Sequence, residues 1–124
     1  MTGSTHLRRQ VHPSFIQSGR HTSQTFLPTP KDEGCLSVYD GDQIDPEPAW
    51  KHYTEVLSLV SCGVVAVTVS ECATTKLSTR LDPEPYDEHA VIEFANDLSK
   101  KEVETKAKLL NRLAAARGWQ HQAD

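Results

Sequence analysis

Arg20, Ser23 and Lys31 crowd one short stretch near the start of the chain, with His12 just ahead of them. Recognition of a phosphate or carboxylate needs guanidinium or ammonium donors, hydroxyls and free backbone N–H groups. The string Gly19-Arg20-His21-Thr22-Ser23 contains these parts, and Lys31 adds a second cation. Arg20, Ser23 and Lys31 are therefore the candidate anion ligands. The spacing matches neither a P-loop nor a dinucleotide fingerprint, so the stretch also reads as an ordinary solvated loop.

His12 and His89 are the candidate catalytic groups, because an imidazole titrates near neutrality and can take or give a proton there. His89 equally reads as a histidine at a sheet rim, bonded to backbone. Glu93 shares its predicted strand face but lies roughly 13 Å away at strand rise, too far to share one proton. His52 has neither spacing of a metal-binding helix and reads as a surface residue. Across the chain six histidines and three cysteines never meet at a recognised ligand spacing, so neither metal nor cofactor is expected. There is no G-x-S-x-G elbow, and neither Cys62 nor Cys72 has a neighbouring cation that would activate its thiol. An odd set of cysteines without C-x-x-C spacing predicts reduced thiols instead of a disulfide framework. Asp40, Asp42 and Asp45 lack the glycine and the closing glutamate of an EF-hand, and read as a turn followed by a helix cap.

The elements that must position these groups follow from periodicity and punctuation. Residues 1–6 are small and polar and are expected to fray. Leu7 to Val11 alternates weakly, as a first strand would. Pro13, Gly19, Pro28 and Pro30 make 12–34 a long, proline-punctuated connection, a length typical of binding segments. Residues 35–39 read as a strand between Gly34 and the turn Asp40-Gly41-Asp42. Asp45 and Pro46 open a helix to about Leu57, with Ala49, Trp50, Tyr53 and Leu57 as its apolar stripe. The β-branched run 64–69 predicts a strand covered on both faces and central to the sheet, ending near Cys72. Residues 76–81 suggest a short edge strand, and 89–95 alternate as another. Ser99 and Glu102 form a capping box for a helix over 99–117, closed by Gly118 with Trp119 folded back. An α+β domain spanning 1–124 follows: a mixed, largely antiparallel sheet of about four to six strands packed against two helices.

Composition bounds the function. The 124 residues allow one domain, and with 37% hydrophobic and 24% charged residues the chain can bury a core. No stretch approaches the roughly 20 apolar residues that span a bilayer. No apolar segment follows the basic N-terminal residues as in a secretory signal, which predicts a cytoplasmic protein without membrane partners. The net charge of −4 is unevenly spread. Residues 1–31 hold four bases and no acid, 32–97 hold fourteen acids against three bases, and 98–124 hold six bases against three acids. Basic ends folded over an acidic middle explain this, as does an anion site near the first segment. General nucleic-acid binding is not expected, since no basic tract is interleaved with aromatics.

The strings His12-Pro13-Ser14-Phe15, Pro28-Thr29-Pro30-Lys31-Asp32, Leu36-Ser37-Val38-Tyr39 and Asp82-Pro83 with His89-Ala90-Val91-Ile92 resemble small stand-alone bacterial proteins to which no activity is attached. The resemblance implies a bacterial cytosolic origin and carries over no functional residue. Two functions are open at this point. One is a non-enzymatic binding or regulatory module that acts through a protein partner, with a paired bacterial gene system as one setting. The other is a small enzyme for a phosphate-bearing or nucleotide-like substrate, held by Arg20, Lys31 and Ser23 with His12 or His89 as base.

Overall fold

The computed structural model describes residues 1–29 and 33–123, so Lys31 lies outside the described residues. The strands are β1 (His6–Val11), β2 (Ile16–Gln17), β3 (Arg20–His21), β4 (Cys35–Asp40), β5 (Gly63–Thr68), β6 (Ser78–Leu81), β7 (His89–Glu93) and β8 (His121–Gln122). The helices are α1 (Pro46–Lys51), α2 (Val69–Thr74) and α3 (Lys100–Arg117), and α1 widens into a π-helical turn over His52–Val56. Six strands form one sheet in the order β6-β7-β4-β1-β5-β8, and β2 pairs with β3 separately. Each neighbouring pair is antiparallel. The expected α+β architecture is present, without the parallel component that a mixed sheet would have among the described residues.

Period-two alternation sorts the sheet into two faces. Leu7, Val11, Leu36, Val38, Val65, Val67, Ala90 and Ile92 form one apolar cluster. That cluster packs on Ala107, Leu110 and Ala114 of α3 and on Phe26. Arg8, Gln10, Ser37, Tyr39, Val64, Ala66, His89 and Val91 occupy the intervening positions and so take the opposite face. There Gln10 Nε2 donates to the Ala49 carbonyl of α1 at 3.2 Å. β5 is buried throughout Gly63–Val67 because both faces are covered, not because it is central. Its outer neighbour is the two-residue β8, and the middle of the sheet belongs to β1 and β4.

Two further expectations change. Residues 1–6 are tied down: Thr5 is buried, its Oγ1 donates to Asp42 Oδ2 at 2.7 Å, and Ser70 N donates to the Gly3 carbonyl at 2.9 Å. Beyond β5 the chain forms α2 instead of extending as strand to Cys72. Thr68 Oγ1 accepts from Glu71 N at 3.1 Å, and Glu71 Oε1 accepts from Thr68 N at 2.8 Å. This T-x-x-E capping box stands in the sequence, hidden by the β-branched pair Thr68-Val69, which reads as a prolongation of the strand.

Glu71 also ties α2 to α3. Its two oxygens accept from Arg117 Nη1 and Nη2 at 2.9 and 3.0 Å, and Nη1 donates to the Ala66 carbonyl of β5 at 2.9 Å. Burial alone would raise the Glu71 pKa, but hydrogen bonds from Arg117 and Thr68 outweigh it and hold the carboxyl below its ordinary 4.5. A depressed folded pKa means that this stabilisation is present above the unfolded value and fades as pH falls through the folded one. Glu71→Gln should therefore lose about 1–3 kcal/mol in urea denaturation at pH 7. The gap to the native chain should close as the pH drops below 4.5; a gap that is constant with pH would contradict this account.

Candidate functional site

The stretch expected to be a bare connection has structure of its own. Ile16 pairs with His21 and Gln17 with Arg20, around Ser18 and Gly19. Both loop residues have positive φ, 52° and 78°, which is the mirror-image turn that matches strand twist in a two-residue hairpin. A 3-10 turn, Ser23–Phe26, follows and buries Thr25 and Phe26. The hairpin is clamped to α3 by Asn111. Its Nδ2 donates to the His21 carbonyl at 3.2 Å, and its Oδ1 therefore accepts from His21 Nδ1. The His21 ring also meets Trp119 edge-on, with centroids 5.4 Å apart.

Between this hairpin and α3 lies a cavity of about 650 Å³. Arg20 and Ser23 line it from the hairpin side, and Lys108, Arg112 and Trp119 line it from the other. Among the described residues no carboxylate lines it. Among the described residues Arg20, Lys108 and Arg112 make no ion pair, and all three are exposed. Lys108 and Arg112 stand at i, i+4 on one helix face, where like charges repel and cost a few tenths of a kcal/mol. An anion between them would reverse that cost. Read along the sequence these two residues only complement the helix dipole. Their role at the cleft depends on the hairpin that docks across from them.

The histidines do not join this cavity. His12 is exposed, its Nδ1 accepts from Ser14 N at 3.0 Å, and it caps the 3-10 turn Pro13–Phe15. His89 lines a second cavity of about 410 Å³ on the opposite face, shared with Arg9, Ser37, Tyr39, Tyr53 and Tyr86. Only 6% of His89 is exposed. Its Nδ1 lies 2.8 Å from the Asp82 carbonyl oxygen and 3.4 Å from Asp82 Oδ2, and its Nε2 lies 3.1 Å from Ser37 Oγ. The backbone bond expected of a rim histidine is thus present, together with a serine that sequence spacing could not reveal. Ser37 and His89 are 52 positions apart and meet only through the β4–β7 register.

Aromatic packing walls the second cavity. Tyr39 stacks on Tyr86 with centroids 5.2 Å apart, and Tyr39 Oη is 2.8 Å from His52 Nδ1. His52 is half-buried, contrary to its expected surface role, because the widened turn carries it over Tyr39. Burial, reinforced by Tyr86, raises the Tyr39 pKa well above the ordinary phenol value and keeps it a neutral hydrogen-bond donor. The same physics disfavours the thiolate at Cys62 and Cys72. Burial pushes Cys72 up to about 12 and raises Cys62. Among the described residues no group of three His, Cys, Asp or Glu side chains could hold a metal ion, and no helix is long and apolar enough to cross a membrane.

Asn111→Ala should leave the buried His21 Nδ1–H without a partner, at about 1–3 kcal/mol. The expected readout is amide exchange faster by roughly 10- to 100-fold in the hairpin and its flanking turns, with little change in the strands of the large sheet. Unchanged protection of Phe15, His21 and Thr22 would show that the clamp does not hold the hairpin.

No protein-family model, curated protein or solved structure matches this chain.

Proposed function

We propose that this chain is a binding module that holds a phosphate-bearing ligand in the cleft between the β2–β3 hairpin and α3. The observation that carries the proposal is the convergence of Arg20, Lys108 and Arg112 on one cavity, with no lining carboxylate among the described residues. Ser23 adds a hydroxyl and Trp119 a flat apolar wall, which suits a nucleotide-like ligand better than bare phosphate. With His12 and His89 both outside the cleft and the His21 ring bonded to Asn111, the proposal is capture of that ligand. A bacterial, cytoplasmic setting belongs to the same proposal and is compatible with the three free thiols.

A second reading, a regulatory module acting through a protein partner as in a paired gene system, is favoured by a separate observation. Val56, Leu59 and Val60 are 69%, 48% and 58% exposed within five residues. Apolar side chains grouped in this way mark interaction sites more often than isolated ones do. A protein co-purifying with the native chain should then be lost from a Leu59→Ser, Val60→Ser double variant.

For the first reading, titration with inorganic phosphate, pyrophosphate and a nucleoside monophosphate should shift amide resonances of residues 19–23 and 108–119. Arg20→Gln and Arg112→Gln should each weaken binding roughly 10- to 100-fold, the size expected for a lost charge-assisted hydrogen bond. Raising salt should weaken it further. Shifts elsewhere, or equal binding by both variants, would refute the assignment.

A further inference from the structure

The geometry points to Ser37 and His89 as a hydrolytic pair for carboxylic esters with an aromatic or aliphatic group, in the cavity walled by Tyr39, Tyr53 and Tyr86. This inference stands apart from the anion cleft, which lies on the other face of the sheet.

Proton bookkeeping supports it first. The Asp82 carbonyl oxygen can only accept, so the 2.8 Å contact assigns the proton to His89 Nδ1. In the neutral ring Nε2 is then an acceptor, and the partner at 3.1 Å, Ser37 Oγ–H, is the donor. This is the tautomer a general base needs to draw a proton from a serine. The Asp82 carboxylate, 3.4 Å from Nδ1, stands where it favours the imidazolium formed by that transfer. Asp82 is thus a positioning residue with two contacts on one nitrogen.

Access comes next. Ser37 is exposed while His89 is buried, so the nucleophile faces solvent and the base behind it is held fixed. Ser37 opens onto the 410 Å³ cavity, whose tyrosines and Leu57 offer an apolar wall to an acyl or aryl group. Arg9 Nη1 donates to the Ser37 carbonyl at 3.0 Å and Arg9 lines the same cavity, so a positive charge borders the site.

The chemistry balances with water as the only co-reactant. Ser37 Oγ forms a bond to the ester carbonyl carbon as its proton passes to His89 Nε2. The C–O bond to the alcohol breaks, and the alcohol leaves with that proton. Water then attacks the acyl-serine, His89 takes one of its protons, the bond from carbon to Oγ breaks, and the proton returns to Oγ. The products are one acid and one alcohol.

The test treats the full chain with an aryl fluorophosphonate and locates the adduct by peptide mass spectrometry, alongside turnover of p-nitrophenyl esters from acetate to octanoate. The expected result is a single adduct on Ser37, and ester turnover reduced at least roughly 100-fold in Ser37→Ala. Ser37 is exposed and its removal forfeits only the bond to His89 Nε2, so this variant should stay folded, as its urea midpoint would show. His89→Gln should keep Ser37 but lose its labelling. Should that variant unfold, the proton assignment is read from the imidazole nitrogen shifts of the native chain, with Nδ1 protonated and Nε2 perturbed by Ser37→Ala. An unlabelled Ser37, labelling spread equally over exposed serines, or equal turnover by the native chain and Ser37→Ala would overturn the inference.

Discussion

The seam between β1 and β4 is the constraint on which the rest of the structure depends. β1 pairs with β5 over six consecutive positions, from His6↔Thr68 to Val11↔Gly63, but with β4 over only two, Leu7↔Asp40 and Arg8↔Tyr39. Beyond Arg8 and Tyr39 the strands part. A buried strand edge without partners is costly, because each orphaned backbone group forfeits its hydrogen bond. Arg9 takes up part of that demand by donating from Nη1 to the Ser37 carbonyl. The sheet is thus two antiparallel units, β6-β7-β4 and β1-β5-β8, joined by a short ladder and by side chains.

This join explains why the central strand is polar. Leu-Arg-Arg-Gln-Val would be an odd sequence for a strand with apolar cover on both sides. Leu7 and Val11 serve the α3 face, Arg8 and Arg9 serve the join, and Gln10 bonds α1. Arg8 is 8% exposed, and its Nε donates to the Ile44 carbonyl at 2.8 Å. Burial lowers its pKa, partly offset by Asp45, Asp40 and Asp42, so the acids of the turn after β4 are counter-charges for a buried guanidinium. Asp45 makes no side-chain cap bond to α1. Its value lies in this electrostatic role and in the extended backbone that lets Pro46 start the helix. The acidic middle of the chain and its basic first segment therefore meet at a particular place, in part as folded-back opposite charges would.

How much of this was legible in the sequence depended on the range of the interaction. Signals contained in four or five residues were readable: Ser99 with Glu102, Pro46 after Asp45, Gly118 before Trp119 and the alternation of Leu36 and Val38. The same kind of signal failed where two local preferences competed. Thr68-Val69 favours strand by its β-branched side chains, yet Thr68 and Glu71 close a capping box that starts α2. Ser18-Gly19 carries a hairpin turn, but Ile16-Gln17 and Arg20-His21 are too short to show alternation. Sites built across register were out of reach. Arg20 and Ser23 could be singled out as candidate anion ligands from their own segment, whereas Lys108 and Arg112 share a cavity with them only because the hairpin docks across from α3. His89 could be singled out, but its partner Ser37 could not, because their meeting needs the pairing of Tyr39 with His89 and Ser37 with Val91.

Arg9 also relates the two cavities. Its backbone faces the α3 side of the sheet, opposite Val65, and its Nε donates at 2.7 Å to the carbonyl of Thr25, in the turn that follows Ser23. Its Nη1 reaches through the opening of the seam to Ser37, so the guanidinium lines the cavity of the other face. One planar, rigid group therefore bonds the docked leading segment on one side and the exposed serine on the other. Lysine could not replace it, since a single ammonium on a flexible stem lacks two donors fixed at these separated positions.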